Sequence, residues 1–314
     1  MLTRLRETVS ANPLAGVIEA ADAVILGKTN ELRLALACML ARGHLLIEDV
    51  PGVGKTTLAH LLARLLGLQY ARIQFTSDML PADVIGVSVY ERSSERFQFH
   101  PGPVFSQVVL ADEINRATPK AQSALLEAME ERQVTAEGET RPLPQPFFVI
   151  ATQNPTYQIG TFPLPESQLD RFLMRIELGY PAEDQEKALL AGADRRQLLA
   201  ALQPALAPGE LIAAQKSVDQ VHVATTIIDY CHAVLSFTRS SPRFRHGLSP
   251  RAGLALIRAA KAWAIMEGRD FLLPEDVRHV LPAVVTHRLI TGDDNHPNGH
   301  TEIANSILSA VPIP

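Results

Sequence analysis

Residues 48–57, EDVPGVGKTT, match the phosphate-binding pattern G-x-x-x-x-G-K-[ST] at every fixed position except the first. When the pattern is aligned on Gly54, Lys55 and Thr56, Asp49 stands where the first glycine would be. The surrounding sequence, LLIEDVPGVGKTTLAHLLARLLG, reads as a buried strand, a glycine-containing turn and an amphipathic helix. Backbone N–H groups at the start of such a helix point toward a bound phosphate, and the helix dipole adds favourable potential. The stretch therefore predicts a nucleotide phosphate site.

The residues of this loop have distinct expected contacts. Lys55 would reach the β- and γ-phosphates of ATP or ADP, and the Thr56 hydroxyl would bind Mg²⁺. Aspartate tolerates the left-handed backbone region better than most side chains, so Asp49 is expected to keep the turn without the glycine. The alternative is an ordinary strand–turn–helix with a surface lysine. The candidate nucleotide contacts are Asp49, Val50, Pro51, Gly52, Val53, Gly54, Lys55, Thr56 and Thr57.

A second motif, QVVLADEINRA, is an apolar run that ends in two acids, Asp112 and Glu113. A central strand of an open α/β sheet would deliver them to the carboxyl edge, where the ligands of such sheets bind. Asp112 is expected to hold the Mg²⁺ shell. Glu113 is expected to act as general base on the attacking water, a role that contributes about 10²- to 10⁴-fold in rate. The alternative is a pair of solvated acids at a strand end.

Two further polar residues follow apolar or helical runs. FFVIATQNP ends at Asn154, whose amide would hydrogen-bond the γ-phosphate or the attacking water, although Asn-Pro also opens ordinary turns. In LPESQLDRFLMRIEL, Arg171 follows Asp170 at the end of a predicted helix. A surface ion pair there would contribute only about 0 to 1 kcal/mol. An arginine finger that reaches a neighbouring subunit's γ-phosphate would contribute about 10³- to 10⁵-fold in rate.

The segment GLSPRAGLALIRAAKAWA predicts a helix with Ser249 as its N-cap and Pro250 as its first residue. Arg251 then lies in the first turn, where the helix dipole disfavours a cation. A nearby anion would remove that conflict, which favours a phosphate contact for Arg251 over a plain exposed arginine.

These residues require a parallel α/β sheet to position them, and the sequence predicts one followed by a helical domain. The predicted strands are HLLIED, YARIQF, QVVLADE, FFVIATQ and FLMRIEL. After residue 180 the pattern is helical, so the predicted domains are residues 1–180 and 181–314. Two polar-tipped hairpins interrupt the first domain, an insert at about residues 80–102 and a hairpin at about residues 133–143.

Composition limits the class of protein. With 46% hydrophobic residues, 20% charged residues and a net charge of −5, the 314-residue chain reads as a globular protein. The acidic balance argues against a nucleic-acid partner and leaves open a local basic patch. No apolar run approaches the 20 or so residues of a membrane span, and MLTRLRETVSANP lacks the apolar core of a signal peptide, which favours a cytoplasmic location. Cys38 and Cys231 fall in apolar helical patterns and predict buried thiols.

Taken together, these motifs resemble the MoxR family of AAA+ ATPases, in the clade with an insert in helix 2 that also contains the ATPase subunits of magnesium chelatases. The most specific match is LADEINRATPKAQSALLEAMEERQVT, followed by ATQNP, LPESQLDRF and SPRA. The resemblance implies an AAA+ core with a helical lid and a ring, usually a hexamer, that binds ATP between subunits. It implies that Asp49–Thr56 form Walker A and that Asp112 and Glu113 form Walker B. It also implies that Asn154 is sensor 1, Arg171 the arginine finger and Arg251 sensor 2. It also places the apolar pair Val24 and Ile25 near the adenine.

The resemblance has further implications and one departure. Members of the family act as chaperone-like motors that mature enzyme complexes or insert metal cofactors, and many work with a von Willebrand A domain protein. The hairpins would face the pore or a partner, or would complete the subunit contact. Tyr157 and Ile159 stand where acidic residues are expected. Two other functions stay open, a nucleotide-gated scaffold and a DNA-directed motor, although the acidic composition disfavours the latter.

Overall fold

The computed structural model describes residues 13–154, 161–192, 195–291 and 299–313. A five-stranded parallel sheet lies at the centre of the first half of the chain, in the order β2-β5-β8-β1-β9. All five predicted strands are present in it. The strands, including those of two hairpins, are β1 Leu45–Glu48, β2 Tyr70–Gln74, β3 Gly86–Glu91, β4 Arg96–Pro101, β5 Val108–Asp112, β6 Gln133–Ala136, β7 Glu139–Pro142, β8 Phe148–Gln153 and β9 Met174–Ile176.

The sheet is buried on both faces, which explains why its strands are continuous apolar runs rather than alternating ones. Every residue of β5 and β8 is buried. Side chains alternate between two cores: Leu110 and Ile150 pack on one face, and Val109 and Val149 on the other. Because the interior fixes the register so firmly, the polar residues at the ends of these strands are held in place at one edge.

Helices cover the sheet and form all the regular elements described after β9. The helix that follows β1 has leucines 58, 61, 62 and 65 fully buried, as its periodicity predicts. The proposed domain boundary near residue 180 stays a prediction. The helices are α1 Pro13–Asp22, α2 Thr29–Leu40, α3 Lys55–Leu65, α4 Pro81–Ile85, α5 Pro119–Glu131, α6 Glu166–Leu169, α7 Glu183–Ala191, α8 Arg195–Ala201, α9 Pro208–Gln220, α10 Thr225–Ser240, α11 Pro250–Met266, α12 Pro274–Val285 and α13 Gly299–Ala310.

The two predicted hairpins, β3–β4 and β6–β7, are antiparallel and contact each other. Glu137, at the tip of the second hairpin, accepts a hydrogen bond from the backbone N–H of Ser88 at 3.3 Å. Arg141 lies 3.9 Å above the ring of Phe99. The hairpins therefore form one unit, and the Tyr90–Phe97 aromatic pair of the first hairpin remains exposed.

No helix in the described part of the chain is long and apolar enough to cross a membrane. Both cysteines are free and buried, as their sequence context predicts. Burial raises the pKa of the Cys231 thiol to about 11, so this thiol stays protonated at neutral pH.

His44, just before β1, makes folding stability depend on pH. Its Nδ1 accepts the Val149 N–H at 3.0 Å, and its Nε2 lies 3.2 Å from the Met129 carbonyl. Burial lowers the pKa of His44 to about 4. Between pH 6.5 and 4 the unfolded state therefore binds a proton that the folded state does not, so stability is present at neutral pH and is lost as pH falls.

We expect His44→Asn to flatten that pH dependence, because the amide oxygen can accept the Val149 N–H in place of Nδ1 and the side chain does not titrate. In the wild type, His44 should account for a loss of about 2 to 3 kcal/mol in the free energy of unfolding between pH 7 and pH 4. Urea unfolding at several pH values measures this loss, and equal pH slopes for the two proteins would contradict the assignment. His246→Asn, at an exposed position, provides a matched control.

Candidate functional site

The phosphate-binding pattern forms the predicted strand–loop–helix between β1 and α3. Gly52 and Gly54 have φ angles of 88° and 99°, and Gly54 is the residue before α3 begins. A Cβ at either position would meet no atom within 4 Å, so glycine is required there for backbone conformation rather than for space. The loop thereby leaves the first N–H groups of α3 at the carboxyl edge of the sheet, next to the end of β8.

Asp49 keeps the loop in place by a different means from the predicted one. Its backbone φ angle is not positive, so the predicted left-handed conformation is wrong. Its carboxylate instead accepts hydrogen bonds from the backbone N–H groups of Leu178 at 2.7 Å and Gly179 at 2.6 Å, and from that of Val50 at 2.7 Å. The side chain therefore ties the loop to the chain that leaves β9.

Lys55, the first residue of α3, is buried beside the loop. Its Nζ donates to the backbone carbonyl of Asp49 and to Oδ1 of Asn154, the latter at 3.3 Å. Burial lowers the pKa of Lys55, while the nearby carboxylates of Asp49, Asp112 and Glu113 oppose that shift. The loop and the residue after β8 thus share one cation, which joins two of the predicted site residues directly.

Asp112 ends β5 beside the loop, with its carboxylate almost fully buried. The Thr152 hydroxyl donates to one oxygen at 2.6 Å, and the Thr56 hydroxyl lies 3.5 Å from the other. Arg72 binds that second oxygen at 2.7 Å through Nη2 and at 3.1 Å through Nε. A buried carboxylate next to a threonine hydroxyl is a hard oxygen donor set, which suits Mg²⁺ when water and phosphate supply the remaining ligands.

Glu113 has an unusual backbone conformation, with a φ angle of 56° in the left-handed region. Its Oε1 accepts from Asn154 Nδ2 at 3.2 Å. Its Oε2 accepts from Gln74 Nε2 at 3.0 Å and Arg116 Nη1 at 2.9 Å. A non-glycine residue in this region marks a position that its surroundings force, and here they hold the carboxylate against Asn154, which itself contacts Lys55.

Sequence reasoning missed four residues of this group: Arg72, Gln74, Arg116 and Thr152. The signal for Arg72 and Gln74 was present in the strand that carries them. Arg72 and Gln74 alternate along β2 and so share one face, and β2 pairs with β5 so that Gln74 lies opposite Asp112. A polar pair at the carboxyl end of the strand beside two acids predicts contact with those acids once the strand order is known.

Val24 and Ile25 follow α1, with Val24 buried and Ile25 half-buried. The next residue but one, Gly27, has φ of 70° and packs against the Gln185 side chain of α7. Lys28 donates to the Tyr180 carbonyl at 3.0 Å, just before α7. The adenine contact stays a prediction, and it would lie where the chain before α2 meets α7.

Arg171 and Arg251 both pair with one carboxylate of the same chain, and their predicted phosphate contacts stay predictions. Arg171 Nη1 lies 2.7 Å from one oxygen of Glu130, and Arg251 Nη2 lies 3.4 Å from the other. Arg251 Nε is also 3.9 Å from Asp170. The predicted cap is present, since Ser249 Oγ accepts the Ala252 N–H at 3.1 Å.

This arginine pair lies at the edge of the sheet opposite the phosphate-binding loop. Arg171 precedes β9, and Leu173 donates its N–H at 2.8 Å to the carbonyl of His44, which precedes β1. The loop follows the other end of β1, and four strand residues span about 13 Å. Arg171 and Arg251 therefore do not join the loop of their own subunit. Tyr157 and Ile159 lie outside the described residues.

Comparison with known proteins gives the class. The model of the family described as "ATPase family associated with various cellular activities (AAA)" matches residues 44–174, and the "AAA lid domain" model matches residues 236–309. A solved structure from Cytophaga hutchinsonii, assigned as an ATPase, superposes with a TM-score of 0.86 at 35% identity and covers 96% of this chain and 95% of that one. The chain is thus an α/β AAA+ core followed by a helical lid.

Similar proteins identify the family within this class. The uncharacterized protein YeaC of Bacillus subtilis is 43% identical over 96% of both chains. Chaperone MoxR1 of Mycobacterium tuberculosis is 40% identical over 93% of this chain and 80% of its own, and Protein MoxR of Paracoccus denitrificans is 33% identical over 94% of both. The chain belongs to the MoxR family of AAA+ ATPases.

Proposed function

We propose that the protein hydrolyses ATP to ADP and phosphate at sites shared between neighbouring copies in a ring, and that this drives remodelling of a partner protein. One observation carries the proposal. The phosphate-binding loop and the Arg171–Arg251 pair lie at opposite edges of the same sheet. When one copy binds ATP at its loop, a second copy must supply the arginine that contacts the terminal phosphate.

Residues at the carboxyl edge of the sheet have separate roles in binding the phosphates and activating the water. The N–H groups at the start of α3 and the Lys55 ammonium bind the phosphates. Glu113 accepts the proton of the attacking water, and its hydrogen bonds to Asn154, Gln74 and Arg116 fix the orientation of the carboxylate. Asn154 also contacts Lys55, so the group that orients the base touches the group that binds phosphate.

Asp112 and Thr56 would hold Mg²⁺, which when bound to ATP offsets phosphate charge. Arg72 shares the Asp112 carboxylate and keeps it oriented toward Thr56. At the opposite edge, Arg171 of a second copy stabilises the charge that develops on the transferred phosphoryl group, and Arg251 acts beside it.

The ring is proposed to be a hexamer in the cytoplasm that acts as a chaperone-like motor on a client enzyme complex, presented by a von Willebrand A domain protein. The relative named Chaperone MoxR1 supports the chaperone role. The joined hairpins and their exposed Tyr90–Phe97 pair are the proposed contact with the partner. Turnover per copy that rises with protein concentration, and that needs Mg²⁺, would support the shared site. Full turnover by a monomer would contradict it.

We expect Lys55→Ala to weaken ATP binding about 10- to 100-fold, because it removes a charge-assisted contact to the phosphates. Titration with a fluorescent ATP analogue measures the change. Lys216→Ala, at an exposed position on α9, is the matched control and should bind like the wild type. Equal affinities for the two variants would place the nucleotide elsewhere.

A further inference from the structure

Four more arginines line the cavity beside the Arg171–Arg251 pair: Arg288, which is paired with Asp170, and three that the proposed hydrolysis does not use. We call Arg42, Arg132 and Arg258 the arginine triad. Arg42 follows α2, Arg132 caps the end of α5, and Arg258 lies on α11. Two cavities of about 270 and 150 Å³ are both lined by all three residues, and the larger one also contains Arg171 and Arg251.

The charges of the triad are incompletely neutralised. Arg42 pairs with Asp219 at 2.9 Å, and Arg132 donates to the Arg42 carbonyl at 3.3 Å. Within the described ranges, no carboxylate oxygen lies within 4.0 Å of the guanidinium of Arg132 or Arg258. Burial and the like charges of Arg42 and Arg258 lower the pKa of Arg132. Three acids also line the two cavities, Glu130, Asp170 and Asp219, but they pair with arginines other than Arg132 and Arg258. The remaining positive charge favours an anionic occupant.

The position of the triad indicates which anion fits. Arg258 follows Arg251 by seven residues, so both lie on one face of α11 at a separation of about 10 Å along its axis. Leu254 lies between them on the same face and is 67% exposed. An exposed leucine between two arginines favours a protein surface over free phosphate. With Arg251 at a neighbour's terminal phosphate, Arg258 would lie about 10 Å further along that neighbour.

The chain has an acidic surface at the corresponding place. Glu183, Asp184 and Glu186 form the exposed first turn of α7, and in the described residues only Glu183 has a basic partner, Lys187. Gln185 of the same turn packs against Gly27, beside the proposed adenine contact. If the adenine contact lies where it is proposed, these acids border the base end of the nucleotide, whereas the triad lies with Arg171 at the amino edge of the sheet.

We propose that the arginine triad of one copy binds the α7 acids Glu183, Asp184 and Glu186 of the next copy. The inference rests on the proposed function, since it requires neighbouring copies to share a nucleotide. The ion pairs close the base end of the shared site, while Arg171 and Arg251 serve its phosphate end. The partner is thus a second copy of this chain, recognised by charge complementarity.

Reciprocal charge reversal tests the contact. We expect Arg132→Glu/Arg258→Glu and Asp184→Lys/Glu186→Lys each to raise the protein concentration needed for ATP-dependent assembly at least about tenfold, because like charges then face each other. An equimolar mixture of the two variants, or one chain that carries all four changes, should regain most of the lost assembly. Sedimentation velocity with a slowly hydrolysed ATP analogue measures this.

Controls separate the possible failures. Lys120→Glu/Lys216→Glu reverses two exposed lysines elsewhere and should assemble like the wild type. ATP affinity of each monomeric variant checks that its fold and its loop are intact. Reversals that have no effect, or that weaken assembly without mutual recovery, would overturn the α7 contact. Loss of inorganic phosphate binding with normal assembly would instead make the triad a small-anion site. A wild type that never assembles with nucleotide would overturn the proposed function itself.

Discussion

Replacing Arg171 with alanine should lower ATP turnover about 10³- to 10⁵-fold while the protein still binds ATP, because in the proposed ring the arginine serves the site of a neighbouring copy. The geometry gives the reason. Arg171 lies at the amino edge of the sheet, paired with Glu130 and bonded to the Leu126 carbonyl at 2.7 Å, and its own loop follows the carboxyl end of β1. Removing it leaves every described contact of Lys55, Asp112 and Glu113 unchanged.

Two measurements check this expectation. Phosphate release gives turnover, and a fluorescent ATP analogue gives affinity. Arg171→Lys should recover only a small part of the rate, since lysine keeps the charge but lacks the planar fork of donors that matches a phosphate. Arg92→Ala, at an exposed position in the turn between β3 and β4, is the control. Loss of ATP binding in parallel with turnover would assign Arg171 to its own subunit's site and contradict the shared arrangement.

The sequence predicts the core of this site well because local patterns encode it. A buried strand that ends in acids and a glycine loop before an amphipathic helix are short-range features, and parallel pairing then brings their ends to one edge. Asp112, Glu113 and Asn154 could be placed beside the loop for that reason. The two hairpins were also predictable, from polar turns between alternating runs.

Other parts of the site depend on contacts between distant segments and could not be predicted. Asp49 holds the loop through the backbone of Leu178 and Gly179, about 130 residues later, so a local rule about left-handed aspartates gave the wrong reason for its presence. Arg72 reaches Asp112 only because β2 pairs with β5. The carboxylate that meets Arg251 belongs to Glu130, from a helix in the other half of the chain.

Changing Glu113 to glutamine should reduce turnover about 10²- to 10⁴-fold and leave ATP affinity within a few-fold of the wild type, because the amide keeps the volume but cannot accept the water's proton. Gln74, Arg116 and Asn154 all donate to the carboxylate. The glutamine has one oxygen in place of two, so its NH₂ group loses at least one of these hydrogen bonds. Phosphate release and ATP affinity measure the two effects. Glu131→Gln, an exposed acid at the end of α5, should change neither, and a wild-type rate for Glu113→Gln would refute the general base.

A mixture of the Glu113→Gln and Arg171→Ala variants tests whether the base and the arginine of one site come from two different copies. Each variant alone is inactive at every site, since each site lacks either its base or its arginine. In an equimolar mixed ring, about a quarter of the interfaces combine the intact loop of an Arg171→Ala copy with the intact arginine of a Glu113→Gln copy. Turnover should therefore recover to about that fraction of the wild-type rate if copies assemble at random. If base and arginine belonged to one site within a single copy, no mixture could restore activity.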